Sequence, residues 1–365
     1  MIEQHFGESS PFSLGVEEEV MILDGETLAP VGAVDVLLRG AEGLDLPGTL
    51  KTELHASVVE LNTDVCATAL EALGALRRLR AAADGIARAN GLRIAAAGAH
   101  PVARAEDLPV VAEPRYEEMV AHVGASARRQ GVNGLHVHVG VASPDACFHA
   151  LEGILPWLPL VLALSVNSPY VAGVETGLLS NRAVALAELP RSGGPPAFRS
   201  YEEWEAWVER LVRIGVAADY TRIWWDVRPH PRFGTLELRM PDQPTAVERS
   251  GALVALVQAL VATVLRSPPR AFAPERRGDY QQNRWAALRF GMDAELIHPD
   301  GERAVAAAEL RDELVVLVGP VARELGGEEL LELGEPEAAR QLEIGRSQGL
   351  DALCADLVER TLSSG

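Results

Sequence analysis

The chain has 365 residues, of which 48% are hydrophobic and 23% are charged, and these proportions are typical of a globular protein with a sizeable core. The formal net charge of −19 argues against nucleic-acid binding, which needs a basic surface against the phosphates. Lys51 is the one lysine and no GxxxxGK[ST] motif occurs, so a P-loop is excluded and anions must be bound by arginine, backbone N–H groups or metal ions.

Cysteine usage and the apolar segments indicate the cellular compartment. Cys66, Cys147 and Cys354 are far apart and form no CxxC motif, which is typical of a reducing compartment and argues against a disulfide framework. The N-terminus lacks the basic and apolar regions of a signal peptide. The two most apolar stretches, residues 154–166 and 252–265, are shorter than the ~20 residues of a membrane-spanning helix. We therefore expect buried helices, no membrane partner and a cytoplasmic protein.

The predicted elements alternate between strands and helices along the chain. Strands are predicted where apolar and polar residues alternate, in residues 13–23, 57–62, 93–97, 135–141, 223–228 and 235–240. Helices are predicted in residues 68–90, 146–165, 201–219, 245–266, 301–318 and 335–360. Thr68 and Glu71 are predicted to form a capping box at the first of these helices.

No repeat and no change of composition divides the chain, so residues 1–365 are predicted to form a single domain. Clean alternation along the strands is typical of an antiparallel sheet with one apolar face covered by helices. The predicted class is therefore α+β.

The polar faces of five predicted strands contain an unusual set of side chains. Because successive strand residues point to opposite faces, Glu17 and Glu19 share one face while Glu18 lies on the apolar face. The same alternation groups residues of the other strands as Glu60 with Asn62, His136 with His138, Asp226 with Arg228, and Glu237 with Arg239. A single polar face usually faces solvent, but solvated faces mix Lys, Thr, Ser and Gln. Five faces that contain mainly Glu, His, Asp and Arg favour a binding site.

These side-chain types suit a metal and phosphate site. Carboxylates on neighbouring strands, ~4.8 Å apart, can hold hard cations such as Mg²⁺, which prefer oxygen ligands and retain waters and substrate phosphates. Arginines beside them would bind a transferred phosphoryl group. His136 and His138 do not predict a zinc site, since no third histidine or cysteine lies close in sequence. A structural hydrogen-bonding role is favoured for His136 more than for His138.

Glu53 does not fit the simple alternation. It precedes Glu60 by an odd spacing, which places the two on opposite faces of a regular strand. Either a bulge or turn near residues 55–57 redirects Glu53, or Glu53 lies outside the site.

The motifs of the chain also match a known family. They are FSLGVEEEVMILD, TELHASVVELNTDVC, GLHVHVG, LPLVLALSVNSPYVAGVETGLLSNR, LPRSGGPP, WWDVRPHPRFGTLELRMPD and QNRWAALRFGMDAELI. Their order and extent resemble the glutamate–cysteine ligase type 2 family, the YbdK-type carboxylate–amine ligases. These are relatives of γ-glutamylcysteine synthetase within the glutamine synthetase fold, so the resemblance implies a curved, mainly antiparallel sheet with a polar active-site face.

The resemblance implies a role for individual residues. It implies ATP and two or three Mg²⁺ ions, with Mn²⁺ as a substitute, on the ligands Glu17, Glu19, Glu53, Glu60, His138 and Glu237. Glu237, Arg239 and Arg228 are the expected catalytic residues. The expected ATP-binding residues are Arg239, Arg228, His136 and Asn62. The resemblance also favours the turn or bulge at Glu53 and a homodimer.

These parts predict a ligase mechanism. The γ-carboxylate of glutamate would attack the γ-phosphorus of ATP, and an amine such as cysteine would displace phosphate from the acyl phosphate. The glycine-rich residues 172–181, with Thr176 and the adjoining Arg182, form either a substrate loop or an ordinary connection. Arg284 and Trp285 either border the nucleotide or, as is favoured for Trp285, lie in the core.

Three alternatives remain open at this stage. The chain could join a different carboxylate and amine, it could be a phosphotransferase of the guanidino-kinase type, or it could be a metal-binding protein without catalytic activity. The product formed from ATP distinguishes them.

Overall fold

A computed structural model describes residues 2–362 and contains thirteen strands and thirteen α-helices within that range. The strands are β1 (Leu14–Asp24), β2 (Gly48–Thr52), β3 (Val58–Thr63), β4 (Leu92–Ala95), β5 (Leu135–Gly140), β6 (Tyr170–Val171), β7 (Val174–Glu175), β8 (Ser192–Gly193), β9 (Trp224–Trp225), β10 (Val227–His230), β11 (Thr235–Leu238), β12 (Glu295–Ile297) and β13 (Ala304–Ala306). The helices are α1 (Val34–Ala41), α2 (Ala69–Ala89), α3 (Pro114–Val123), α4 (Ala125–Arg128), α5 (Pro144–Ile154), α6 (Leu158–Ser165), α7 (Asn181–Ala187), α8 (Tyr201–Arg213), α9 (Val247–Leu265), α10 (Arg276–Phe290), α11 (Ala307–Glu324), α12 (Glu337–Gln348) and α13 (Leu350–Leu362).

β1 lies in the middle of the main sheet. The strand order is β10-β11-β5-β1-β3-β2, and β4 pairs with the C-terminal part of β1. All of these pairs are antiparallel, as predicted. The edge strand β2 was not predicted, because its five residues are only partly buried or exposed and show no apolar face.

The strand predicted at residues 223–228 is divided at Asp226 into β9 and β10. The Asp226 N–H donates to the Gly193 carbonyl and the Asp226 carbonyl accepts from the Arg239 N–H. These bonds turn the backbone between the two strands, so Asp226 and Arg228 do not continue one regular polar face as predicted.

Helices cover the apolar face of the sheet. Inward-facing residues of β1, β5 and β11, such as Val16, Val137 and Leu236, share one buried cluster with α2, α5, α6 and α9. Two helical stretches, Pro144–Ser165 and Val247–Leu265, are long and apolar enough to cross a membrane, but 78% of each apolar window is buried inside the protein. They are the core helices that the sequence predicts.

Proline and glycine decide where several helices end. Two prolines, Pro156 and Pro159, separate α5 from α6 within the stretch predicted as one helix. Gly349, with a φ of +91°, separates α12 from α13, which were also predicted as one helix. At the start of α2 the Thr68 hydroxyl accepts the Glu71 N–H at 3.1 Å, so the predicted cap is confirmed.

The carboxylate of Glu18 lies on the apolar face, as predicted, and is neutralised inside the core. Arg80 of α2 donates to both of its oxygens at 2.7 Å, and Gln243 and Ser250 also donate to it. The side chains of the ion pair are at most 2% exposed. Arg80 also donates at 3.1 Å to the carbonyl of Thr361 in α13, so this pair ties β1, α2 and the C-terminal helix together.

This arrangement predicts the effect of Glu18→Gln. The variant leaves the buried Arg80 charge uncompensated, so we expect the free energy of unfolding to fall by about 3 kcal/mol or more. The control is Glu248→Gln, which removes a partner of Arg77 at the surface and should cost less than about 1 kcal/mol. Urea denaturation measures both values, and equal losses would contradict the prediction.

Candidate active site

The register of the sheet brings the polar side chains into neighbouring rows. Glu17 on β1 lies opposite His136 on β5 and Asn62 on β3. In the adjacent row, Glu237 on β11 lies opposite His138 on one side and Arg228 of β10 on the other. Along the strands, this polar face extends from Thr235 at one end to Glu53 at the other; we call these the Thr235 end and the Glu53 end.

Glu17, His138 and Glu237 form a first group of potential ligands. Each offers an atom, and these atoms all lie within 4.8 Å of one another. The Nε2 atom of His138 is 3.5 Å from Glu17 Oε1 and 4.0 Å from Glu237 Oε1. It is buried and has no hydrogen-bond partner in residues 2–362, whereas Nδ1 contacts the Thr235 hydroxyl at 2.9 Å. A cation between the two carboxylates would satisfy this nitrogen, so the residues fit a metal ion.

The charges of the first group are balanced by neighbouring cations. Burial alone would raise the pKa of Glu237, but the guanidinium groups of Arg228 and Arg239 outweigh it and hold that pKa well below its usual range. Burial is likewise outweighed at Glu17, where the hydrogen bond from His136 Nδ1 and the nearby imidazole of His138 hold the pKa well below its usual range. Both carboxylates are therefore ionised.

Glu19, Glu53 and Glu60 form a second group, which lies toward the Glu53 end and also brings its ligand atoms within 4.8 Å. Burial and then the charge of Glu53 raise the pKa of Glu19 to about 8. Burial and the charges of Glu17, Glu53 and Glu19 raise the pKa of Glu60 well above its usual range, and burial also raises the pKa of Glu53. Three carboxylates at this spacing repel one another unless protons or a cation neutralise them, so this group also fits a divalent metal.

A turn explains the position of Glu53. Lys51 on β2 pairs with Glu60 on β3, so Glu53, two residues after Lys51, lies on the same face as Glu60. Residues 53–57 connect the two strands with a turn at Ala56 and Ser57. The turn alternative is therefore confirmed, and Glu53 lies with the other five predicted ligands. That these residues bind metal stays a prediction.

His136 and Arg182 form a buried layer beside Glu17. Burial and then the charge of Arg239 lower the pKa of His136 to about 4, so its ring is neutral. Arg182 Nη2 donates to His136 Nε2 at 3.4 Å, which leaves Nδ1 as the donor to Glu17 at 3.1 Å. Arg182 also donates to the carbonyls of Met240 and Arg239. His136 thus makes the structural hydrogen bonds that the sequence favours for it, and its expected role in ATP binding stays a prediction. Arg182 lies beside it as a buried neighbour of the polar face.

Arg228 and Arg239 hold Glu237 from two sides. Arg228 Nε donates to Glu237 Oε2 at 2.6 Å, and its Nη1 donates to the carbonyls of Thr221 and Ile223. Arg239 Nη1 donates to Glu237 Oε1. The Arg239 side chain is 17% exposed and that of Arg228 is 8% exposed, so Arg239 is the more accessible of the two.

The loop at residues 172–181 is held together by contacts among its own residues. The Thr176 hydroxyl accepts from the Asn181 side chain at 2.8 Å and from the Leu178 N–H at 3.2 Å, so it organises the loop internally. Ala172 and Gly173 both have positive φ, as in a type I′ turn between β6 and β7. These contacts fit an ordinary connection, and a substrate role for Thr176 stays a prediction.

The structure also shows where Arg284 and Trp285 lie. Arg284 and Tyr280 both donate to the carboxylate of Asp226 at 2.7–2.8 Å, so they brace the chain between β9 and β10. The favoured core position for Trp285 is wrong, because this side chain is 52% exposed beside Phe290 on the outer face of α10. Thr235 was not among the predicted site residues, although it contacts His138 and shares the face of Glu237, which lies two residues later.

A cavity of about 660 Å³ opens at the Thr235 end of the polar face. Its lining includes Glu17, His138, Asn62, Lys51 and Phe233. The cavity therefore continues directly from the first group of potential ligands.

Comparisons with known proteins place this geometry in context. The sequence profile of glutamate-cysteine ligase family 2 (GCS2) matches residues 13–345. A protein of Rubrobacter xylanophilus with the provisional name glutamate–cysteine ligase 2-3 is 44% identical over 332 residues, which cover 91% of this chain and 90% of the relative. A Roseiflexus castenholzii protein with the provisional name glutamate–cysteine ligase 2 is 36% identical over 362 residues, 96% of this chain and 95% of the relative.

Solved structures share the fold at low sequence identity. A glutamate–cysteine ligase of Francisella tularensis in complex with AMP has a TM-score of 0.71 and 16% identity, over 97% of this chain and 89% of that one. A bifunctional glutathione synthetase from Pasteurella multocida has a TM-score of 0.65 and 16% identity, over 96% of this chain and 52% of that one. These similarities confirm the predicted fold class.

The second group predicts an effect of metal on stability. Mg²⁺ or Mn²⁺ that binds the folded chain should raise the midpoint of thermal unfolding by about 3 °C or more relative to protein in EDTA. In Glu60→Gln the midpoint in EDTA should not fall, because one repelling charge is removed, and the gain with metal should shrink. Glu359→Gln, a surface change on α13, is the control and should behave as wild type. A full metal-dependent gain in Glu60→Gln would contradict a metal at this group.

Proposed function

The chain belongs to glutamate-cysteine ligase family 2 and is an ATP-dependent ligase that forms C–N bonds; we propose that it joins the γ-carboxylate of glutamate to an amine, with cysteine as the amine. The observation that supports this most is the polar face itself. It combines two groups of potential metal ligands with two arginines that meet at Glu237. Phosphoryl transfer needs this combination, since its main requirements are positioning and charge neutralisation.

Mg²⁺ is the proposed metal, with Mn²⁺ as a substitute. Glu17, His138 and Glu237 would hold one ion, and the oxygen ligands of Glu19, Glu53 and Glu60 would hold another. When bound, such ions neutralise the charge of the ATP phosphates and orient them. Thr235 keeps the His138 ring oriented, and His136 does the same for Glu17.

The two arginines have different proposed tasks. Arg239 is the more accessible, and its guanidinium would bind the transferred phosphoryl group. Arg228 donates to Glu237 and to two carbonyls, so it would position Glu237 and raise the local positive potential. Arg182 would act through His136 and through the carbonyls of Arg239 and Met240, to which it donates.

The proposed reaction has two steps. A γ-carboxylate oxygen of glutamate attacks the γ-phosphorus of ATP, and ADP leaves with the electron pair of the broken P–O bond. The amine nitrogen then attacks the carbonyl carbon of the acyl phosphate, the C–O bond to phosphate breaks, and the amine loses a proton. The chain contributes by aligning the three substrates and by balancing the charge of the phosphates.

Placement of the substrates follows from the two ends of the polar face. The cavity of about 660 Å³ at the Thr235 end, lined by Asn62 and Phe233, is our proposed site for the adenosine part of ATP. The amino acids would then lie toward the Glu53 end. We further propose, from family membership, that residues 1–365 act as one ligase domain in a cytoplasmic homodimer.

The proposal predicts a strong effect of Glu237→Gln. The change retains the shape but removes the charge between Arg228 and Arg239, so ADP formation should fall by about 100-fold or more. Glu359→Gln on the surface of α13 should keep the wild-type rate. Circular dichroism and thermal unfolding establish that the variant is folded, and a folded variant with near-normal turnover would place Glu237 outside the reaction.

The intermediate gives the sharpest test of a ligase against a phosphotransferase. With ATP, Mg²⁺, glutamate and hydroxylamine, we expect γ-glutamyl hydroxamate in proportion to ADP, because a small nucleophile intercepts an acyl phosphate. A parallel reaction with cysteine should give the amide by mass spectrometry, since binding of the true amine can raise the rate. A stable phosphorylated amine or guanidine, with no hydroxamate and no amide, would reject the ligase and support a kinase.

A further inference from the structure

A second cavity, of about 180 Å³, lies between α3 and the chain segment that leads into β9. One wall is the C-terminal half of α3, including His122, and the other contains residues 215–218, Arg222 and Trp224. Arg191, from the LPRSGGPP motif, completes the lining. The positively charged or protonatable side chains in this lining outnumber its one carboxylate, Glu118, so the cavity favours an anion.

Both walls of this small cavity are anchored to the candidate active site. α3 begins beside the second group of carboxylates, where the Tyr116 hydroxyl donates to the Thr52 carbonyl at 2.8 Å, next to Glu53. On the other side, Trp224 and Trp225 lead directly into Asp226, whose carbonyl accepts the Arg239 N–H at 2.9 Å. Both walls are therefore joined to the Glu53 end of the polar face, away from the proposed adenosine site.

Arg191 has an unusual backbone and an unused donor. Its φ of +57° lies in the left-handed region, which residues with a side chain seldom adopt, and such strain is often found at functional sites. Backbone hydrogen bonds to β9 hold Arg191 in this conformation. The Arg191 carbonyl accepts the Trp224 N–H at 2.9 Å, and β8, which follows Arg191, pairs with β9.

The guanidinium of Arg191 is held at one atom and free at another. Its Nε donates to the Arg222 carbonyl at 3.0 Å, and the guanidinium carbon Cζ lies 5.9 Å from the centre of the Trp224 ring. Its Nη2 is buried and has no hydrogen-bond partner within residues 2–362. A buried donor without a partner is costly, and a rotation of the guanidinium that brings Nη2 to a ligand in the cavity would remove this cost.

We propose that Arg191 binds the unreacted carboxylate of an amino-acid substrate in this cavity. The inference rests on the proposed ligase function, because it names how the same site selects amino acids. A guanidinium presents parallel N–H groups that match the two oxygens of a carboxylate, and this volume suits a small group rather than a nucleoside. Both glutamate and an amino-acid amine such as cysteine carry such a carboxylate, so the experiment must distinguish them.

The test measures binding and kinetics separately. Isothermal titration calorimetry with Mg²⁺ and a non-hydrolysable ATP analogue gives the affinity of wild type, Arg191→Ala and Arg191→Lys for glutamate and for cysteine. Two analogues lack the carboxylate in question: 4-aminobutyrate replaces glutamate and cysteamine replaces cysteine. Arg323→Ala, which removes an exposed partner of Glu328, is the matched control. Thermal unfolding establishes that each variant is folded.

We expect Arg191→Ala to weaken binding of one amino acid by about 10-fold or more, in line with loss of a hydrogen bond between charged groups at a partly buried position. Arg191→Lys should recover part of the loss, and the analogue that lacks the carboxylate should bind wild type and Arg191→Ala equally. In turnover, the KM for the same amino acid should rise while the KM for ATP stays unchanged. The affected amino acid identifies which substrate occupies the cavity.

Three results would overturn the inference. They are unchanged affinity of Arg191→Ala for both amino acids, equal binding of the parent and decarboxylated ligands by wild type, and no binding of either amino acid by wild type. Failure of the ligase function is a different outcome: no hydroxamate would form, while binding of an amino acid could still depend on Arg191. Conversely, if Arg191→Ala forms hydroxamate normally and its KM for both amino acids is unchanged, the role of this cavity in substrate binding is rejected and the ligase function is retained.

Discussion

The register of β1 with its two neighbours is the constraint on which both sides of the sheet depend. β1 contains three successive carboxylates, and the strand alternation sends Glu18 into the core and Glu17 and Glu19 to the polar face. A slip of one residue would place two carboxylates against the single guanidinium of Arg80 and remove both from the polar face. The buried ion pair therefore selects the register that also builds the candidate active site.

The two groups of ligands differ in how their charge is balanced. In the first group, Arg228 and Arg239 keep Glu237 ionised, so that half of the site is electrostatically complete within the chain. In the second group, the opposing charges of Arg182 and Arg239 offset only part of the burial and repulsion at Glu19. The first half is thus organised before any ligand arrives, while the second half requires protons or a cation to neutralise its carboxylates.

Much of the site could be predicted from the sequence because strand alternation is a local property. Glu17, Glu19, His138 and Glu237 each lie inside a regular strand, and their faces follow from position alone. Glu53 could not be assigned in this way, since its direction depends on the turn that joins β2 to β3.

Tertiary contacts explain the remaining errors. The division of the strand at Asp226 depends on backbone bonds to Gly193 and Arg239, which are distant in sequence. Trp285 is exposed although its residue type favours burial, because α10 turns its other face toward Asp226 and the core. The sequence around Arg191 has no alternation of apolar and polar residues that would assign it a role. Its unpaired donor and its place in the cavity lining depend on tertiary contacts.

The hydrogen bond from Arg80 to Thr361 has a consequence for how the chain is made. Synthesis on the ribosome proceeds from the N-terminus, and β1 emerges long before α13. Arg80 also needs carbonyls at Pro244 and Thr245, and Thr361 in turn accepts the Ala96 N–H at the end of β4. Arg80, the buried partner of the central strand, therefore cannot acquire all of its acceptors until α13 has left the ribosome, and during that interval the incompletely packed core around it needs shelter from aggregation.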